Sequence, residues 1–168
     1  MKRVVFFIVI AVSVMTASCS LDQQSQYTPL LKCMNMVCYH TDSLYRDTLK
    51  YEKVDENGVY KMKAIHKGDT VRAVIVLNAV TNTLTGFSIT YDSTELIAQV
   101  DSVECIQHAL LDTSDPAHGK LYFKPAFTYA AFPIHYIPLK TGSADIKLTV
   151  ESDSKYSPNS LSMTQPVE

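Results

Sequence analysis

The sequence lacks the features that mark several large classes of protein. Its 15 Lys and Arg residues are outnumbered by 17 Asp and Glu residues and form no basic cluster, which argues against a nucleic-acid partner. It contains no Gly-x-Ser-x-Gly turn, His-Glu-x-x-His helix, Walker loop or dinucleotide-binding glycine motif. These absences predict a protein that is not an enzyme, with no cofactor and with neither catalytic nor metal-ligating residues.

A long hydrophobic run is also missing, although the chain begins with a short one. Lys2 and Arg3 precede a mainly apolar run that ends at Met15, and small residues then lead to a cysteine, in the order Thr16-Ala17-Ser18-Cys19. The run is shorter than the roughly 20 residues of a membrane-spanning helix, and polar chain follows it. A basic start, a short apolar middle and a small-residue end predict a secretory signal.

Because Cys19 directly follows the small residues, this segment resembles a lipoprotein signal. The resemblance implies cleavage before Cys19 and acylation of its thiol and new amino group, with a simple signal peptide as the alternative. Thr16 stands where the common motif prefers Leu. Gut bacteria of the Bacteroidales type tolerate looser motifs, and the chain resembles their small lipoproteins of unknown function. This second resemblance implies attachment to the outer membrane through Cys19, on the periplasmic side or the cell surface.

The domain organisation follows from this interpretation. Residues 1–18 are predicted to be the lipoprotein signal, and residues 19–29 are polar and predicted to be a flexible tether. Residues 30–168 have the length of a single domain. Removal of the signal takes away two positive charges and leaves the remainder more acidic, so the domain has no electrostatic reason to bind anionic lipid.

Three further cysteines, Cys33, Cys38 and Cys105, leave several arrangements open. An exported chain meets an oxidising compartment, so a disulfide between Cys33 and Cys38 is one candidate. A bridge between Cys38 and Cys105 is another, and three free buried thiols are a third. Cys33, Cys38 and His40 are zinc-ligand types, but no fourth ligand stands at a matching distance, so a metal is not predicted.

Short alternating segments separated by turn residues predict an all-β domain. Residues 70–79 are apolar on both faces, which predicts a central strand. Residues 45–53 predict an edge strand, and Pro133 and Pro138 predict that residues 127–138 lie at an edge or cross between sheets. Residues 95–111 fit a helix and a strand equally well. Seven to eight strands predict an antiparallel β-sandwich.

The element order, with the alternating strand from Gly142 to Val150, resembles bacterial immunoglobulin-like modules over roughly residues 45–167. The resemblance implies an immunoglobulin-like fold and no activity. The Cys…Trp…Cys set of antibody domains is missing, because the chain has no tryptophan.

Other side chains suggest chemistry only weakly. Cys105, His108 and Asp112 would approach each other on a helix, as a nucleophile with its base, but no oxyanion donors accompany them. Acidic turns lack the spacing of a calcium loop and are interpreted as solvated; their residues are Asp92, Glu95, Asp112, Asp115 and Asp153. Five aromatic rings are interpreted as core rather than as a binding surface: Phe123, Phe127, Tyr129, Phe132 and Tyr136.

The sequence therefore predicts a lipid-anchored cell-envelope protein that acts as a non-enzymatic binding or accessory module. Its predicted partner is a glycan or an envelope protein. Two alternatives stay open. One is a structural subunit or cap of a surface assembly, which requires an open groove for a donated strand. The other is a small hydrolase, which requires a polar pocket that gathers His108, Asp112 or His135.

Overall fold

The computed structural model describes residues 27–42 and 44–168. The predicted signal and the predicted lipidation site at Cys19 lie outside the described residues. Within them, no helix has the length and apolar character needed to cross a membrane.

The described residues form eleven strands in two sheets. The first sheet has the spatial order β2-β1-β5-β9-β7. Its strands are β1 (Leu30–Tyr39), β2 (Arg46–Thr48), β5 (Thr70–Asn78), β7 (Leu96–Val100) and β9 (Tyr129–Pro138). The second sheet comprises β3 (Tyr51–Val54), β4 (Tyr60–Met62), β6 (Leu84–Tyr91), β8 (Lys120–Tyr122), β10 (Gly142–Ser152) and β11 (Asn159–Val167), in the order β3-β4-β11-β10-β6-β8. The strand pairs are antiparallel except β4 with β11.

The prediction of an all-β sandwich is confirmed: two sheets of mainly antiparallel strands pack together. The predicted number of strands, seven to eight, was too low, since the described residues form eleven. One reason is that residues 45–53 form two short strands, β2 and β3, which lie at the edges of different sheets. Residues 95–111 contain strand β7 followed by a 3-10 helix, Gln107–Ala109; a second 3-10 helix is Pro116–His118.

The core lies between the sheets, where alternate residues of the central strands point inward. In β10 the buried residues are Ala144, Ile146, Leu148 and Val150, and the intervening Asp145 and Lys147 are exposed, as the period of two predicts. Strand β5 lies between β1 and β9, so the predicted central strand is confirmed.

The aromatic segment belongs mainly to this core, as predicted. Phe123, Phe132 and Tyr136 are buried, whereas Tyr129 is exposed. Phe132 meets Phe87 of the other sheet edge to face, with ring centroids 5.0 Å apart. Aromatic contacts across the two sheets therefore help to hold them together.

The prediction that residues 127–138 lie at an edge or cross between sheets was wrong, because β9 pairs with β5 on one side and β7 on the other. Both prolines fit because their ring nitrogens face places where a neighbouring strand has ended. The Pro133 carbonyl accepts from the Asp101 amide just beyond β7, and the Pro138 carbonyl accepts from the Gly68 amide just before β5. A residue in an antiparallel strand points its nitrogen and carbonyl to the same side, so each missing N–H falls at the end of a strand pair and not within one.

Candidate functional site

The residues that suggested a nucleophile are not brought together. Cys105 and Asp112 are exposed, and the His108 ring packs edge to face on Phe127 at 5.4 Å. His135 lies on β9 and is hydrogen-bonded to Asp101. No hydrogen bond or ion pair in the described part of the chain joins any two of Cys105, His108, Asp112 and His135.

The acidic turns use their carboxylates locally. Asp92 accepts from the Thr94 amide at 2.8 Å, and Asp153 accepts from the Thr83 amide, also at 2.8 Å. These backbone hydrogen bonds lower the pKa of both carboxyl groups. Such bonds are those of turn-forming aspartates and support the interpretation of solvated turns.

The fold assembles a different set of side chains at one end of the β1–β5 pair. Cys38 lies near the end of β1 and His40 directly after it, while Asp69 ends the turn before β5. Because Tyr39 pairs with Thr70 in antiparallel register, His40 is brought opposite Asp69. Cys38 and His40 stand out in the sequence as zinc-ligand types, whereas Asp69 does not, because only the register of the two strands places it beside them.

In this Cys38–His40–Asp69 cluster three donor atoms converge. Asp69 Oδ2 lies 3.6 Å from Cys38 Sγ and 2.9 Å from His40 Nδ1, and Sγ lies 4.0 Å from Nδ1. Within the described residues it is the one place where three or more Cys, His, Asp or Glu side chains converge in this way.

Asp69 is fixed by the backbone around it. Its side chain is only 2 % exposed, and it accepts from the Thr41 amide through Oδ1 and from the His66 amide through Oδ2, each at 3.0 Å. Burial alone would raise the pKa of Asp69, but these two amides and His40 outweigh it and lower the pKa. The carboxylate is therefore ionised and held in one orientation.

His40 is held between two carboxylates. Nδ1 contacts Asp69, and Nε2 lies 3.4 Å from Asp47 Oδ2 on the neighbouring strand β2. The hydrogen bond to Asp69, followed by that to Asp47, raises the pKa of His40. Both ring nitrogens thus have a defined partner.

Cys38 is not arranged as a nucleophile. Burial, then the charge and hydrogen bond of Asp69, raise the pKa of its thiol to about 12. An activated cysteine instead has a lowered pKa and an imidazole as its base, with the carboxylate on the far side of the ring. Here the carboxylate contacts both the thiol and the nearer ring nitrogen. The thiol therefore donates a hydrogen bond to the carboxylate and stays protonated.

The candidate disulfide between Cys33 and Cys38 is not formed, since all three described cysteines are free. The physical reason is that both lie on strand β1, where residues five apart are separated by about 16 Å if the strand is regular, against at most about 7 Å in a disulfide. The bulge between Met34 and Val37 shortens this distance without closing a loop. Cys38 and Cys105 are likewise unbridged.

Thiol reactivity should separate the three cysteines. Cys105 is exposed, whereas burial raises the pKa of Cys33 to about 12, like that of Cys38. Because the thiolate is the reactive form, we expect a thiol alkylator at mildly alkaline pH to modify Cys105 rapidly and the other two only after unfolding. Peptide mass spectrometry measures this. Rapid labelling of Cys38 in the folded chain would instead indicate an activated thiol.

Two concave surfaces accompany these residues. An open cavity of about 500 Å³ is lined by Cys38 and His40 together with Asp47, Lys63 and His66, among others. A separate groove of about 350 Å³ between β1 and the strands of the other sheet is mainly apolar; it is lined by Leu31, Met34, Met36, Tyr51, Tyr60, Met62, Leu161 and Met163, among others.

Comparison with known proteins does not assign these surfaces. No protein-family model matches the chain, and its sequence matches none of the curated proteins.

Proposed function

We propose that the chain is a lipid-anchored protein of the cell envelope that acts as a binding module rather than an enzyme. The anchor is the acylated Cys19, and the localisation is the outer membrane, on the periplasmic side or the cell surface. The binding surface is the cavity lined by Cys38 and His40, and the partner is a glycan or an envelope protein.

One observation carries the choice of binding over catalysis. The Cys38–His40–Asp69 cluster, two members of which line the cavity, gathers a thiol, an imidazole and a carboxylate, yet the thiol is buried, has a pKa of about 12 and donates to Asp69. The residues on which the hydrolase alternative rested, His108, Asp112 and His135, are dispersed. A cavity with protonated and hydrogen-bonded groups is better suited to recognising a ligand than to attacking one.

The anchor is tested by replacing Cys19 with Ala. We expect the native chain to sediment with membranes and to require detergent for release, and its first peptide to carry fatty acid at Cys19. The C19A variant should lose the acyl group and leave the membrane fraction, because two or more acyl chains are needed for stable attachment. C105S is the matched control, because it removes an exposed cysteine of the domain. A native chain with an unmodified Cys19 would contradict the proposal.

The binding surface is tested separately, with envelope glycans and purified envelope proteins presented to the immobilised chain. Any retained ligand should be lost with the cavity variant Lys63→Glu and kept with Lys147→Glu, which changes an exposed lysine on β10. A ligand that binds both variants equally does not use the cavity. A chain that retains no glycan and no envelope protein contradicts the binding module.

A second function, assembly through a donated strand, is favoured by the edge of β1. Strand β2 pairs with Val37 to Tyr39, so that among the described residues the first half of β1 has one neighbouring strand, β5. The apolar groove lies beside this unpaired edge. Backbone groups beside an apolar groove are the arrangement that accepts an added strand. Size measurement at increasing concentration tests it, since a structural subunit should form a defined assembly and a binding module should stay monomeric.

A further inference from the structure

The Cys38–His40–Asp69 cluster has donor atoms of three different kinds directed at one point. They come from a thiol, an imidazole and a carboxylate, and all three lie within 4.8 Å of one another. Cys38 is 1 % exposed, whereas His40 is a quarter exposed, so the point is reached from the cavity that both residues line.

We propose that this cluster is a binding site for a zinc-class divalent metal ion. Cys38 Sγ, His40 Nδ1 and Asp69 Oδ2 are its three protein ligands. The fourth position opens toward the cavity and is filled by water or by a group of a bound partner. The site rests on the described residues alone, so it goes beyond the proposed function and does not depend on acylation of Cys19.

The distances fit a tetrahedral ion. Zinc bonds are about 2.3 Å to sulfur and 2.0–2.2 Å to nitrogen and oxygen. In a tetrahedral site the sulfur therefore lies about 3.6 Å from the nitrogen or oxygen ligand, and the nitrogen and oxygen lie about 3.4 Å apart. The cluster has 3.6 Å for Sγ to Oδ2, 4.0 Å for Sγ to Nδ1 and 2.9 Å for Nδ1 to Oδ2. Shifts of about half an ångström, within the reach of small side-chain rotations, produce the tetrahedral spacings.

The surroundings also match those of a metal site. Histidine ligands commonly donate the second ring N–H to a carboxylate, and Asp47 lies 3.4 Å from His40 Nε2. Carboxylate ligands are themselves hydrogen-bonded, and Asp69 accepts from the amides of Thr41 and His66. These outer contacts orient Nδ1 and Oδ2 toward the same point before any ion binds.

The chemistry of the donors selects the ion. One thiolate and one carboxylate neutralise a divalent charge. The ion replaces the proton that the Cys38 thiol donates to Asp69 and the proton that lies between His40 Nδ1 and Asp69. The latter is released from a protonated ring, whereas a neutral ring carries its proton on Nε2, facing Asp47. Sulfur and nitrogen ligands favour zinc and its neighbours, whereas calcium and magnesium require oxygen ligands in larger number. The site is therefore specific for a transition metal of the zinc class.

The experiment titrates the purified full-length chain, in detergent and under reducing conditions, with Co²⁺ and then with Zn²⁺. We expect a thiolate-to-cobalt charge-transfer absorption that saturates at about one equivalent and is displaced by Zn²⁺. The variants Cys38→Ser and His40→Gln should abolish this absorption or weaken affinity at least about tenfold.

Two variants serve as matched controls. Cys105→Ser removes the exposed thiol, and His118→Gln removes a histidine that pairs with Asp115 on the surface; both should bind as the native chain does. Circular dichroism shows whether each variant is folded. If Cys38→Ser is unfolded, His40→Gln is the decisive variant. A native chain without the cobalt absorption, or a folded His40→Gln variant that binds cobalt with native affinity, overturns the metal site. Neither result bears on acylation of Cys19 or on retention of a glycan.

Discussion

Replacing Gly119 with Ala should destabilise the domain by about 3 kcal/mol, which is a large part of the 5–15 kcal/mol typical of folded domains. Gly119 ends the second 3-10 helix with φ +66, in the left-handed region. A Cβ added there would lie 2.8 Å from Cγ1 and 2.9 Å from Cβ of Ile89. Ile89 belongs to β6 and is buried, so it has little room to move.

Two costs add at this position. The left-handed conformation costs an alanine about 1–2 kcal/mol, and overpacking of a core typically costs about 1–3 kcal/mol. The Ile89 amide also donates to the Gly119 carbonyl at 3.0 Å, so a backbone shift that relieves the contact weakens a hydrogen bond. A loss of this size corresponds to a fall of roughly 6–12 °C in Tm for a domain of this length.

The matched control is Gly58→Ala. Gly58 also has a positive φ, +78, but an added Cβ would meet nothing within 4 Å. Gly58→Ala should therefore destabilise the domain only by the conformational cost, about 1–2 kcal/mol. Urea unfolding followed by far-ultraviolet circular dichroism measures both, since the chain has no tryptophan for fluorescence. Equal losses in the two variants would show that the contact with Ile89 is not costly.

Replacing Gln165 with Leu should also cost about 3 kcal/mol. Gln165 is fully buried in β11, and its Oε1 accepts from the Tyr136 hydroxyl of β9 at 2.8 Å. Its Nε2 donates to the carbonyls of Lys63 and Pro166, at 2.7 and 3.0 Å. This side chain therefore joins the two sheets by a hydrogen bond through the core and ties them to the end of β4.

The large cost arises because leucine leaves buried polar groups without partners. Each unsatisfied buried donor or acceptor costs about 1–3 kcal/mol, and both the Tyr136 hydroxyl and the Lys63 carbonyl lose their partner. Burial raises the pKa of Tyr136 well above its usual value, so the hydroxyl stays a donor at every ordinary pH. Changing the pH cannot relieve the loss.

A double-mutant cycle provides the control. Tyr136→Phe leaves only Gln165 Oε1 unpaired and should cost about 1–2 kcal/mol. Together with Gln165→Leu it removes both members of the pair, so the combined loss should be smaller than the sum by about 1 kcal/mol. Urea unfolding of the four proteins measures the coupling. Strictly additive losses would mean that the hydrogen bond between the sheets contributes nothing of its own.

The sequence pattern correctly predicted those strands whose burial is set by neighbouring residues. The alternation of β10 and the continuous apolar character of β5 are visible in the sequence, because a strand places successive side chains on opposite faces. The predicted position of β9 was wrong because it considered only the missing N–H groups of Pro133 and Pro138. Whether a missing N–H disrupts the sheet depends on where β7 ends and β5 begins, and these points lie far from β9 in the sequence.

The sequence by itself determined that the chain forms a two-sheet β domain, which side chains its strands bury, and which residue types are available for chemistry. Its first residues also make acylation of Cys19 the prediction to test. Only the tertiary structure decided that Asp69, rather than Cys33, accompanies Cys38 and His40, and that Gln165 joins the sheets. The reason is physical: periodicity and turn chemistry act over a few neighbouring residues, whereas strand register joins residues that stand far apart in the chain.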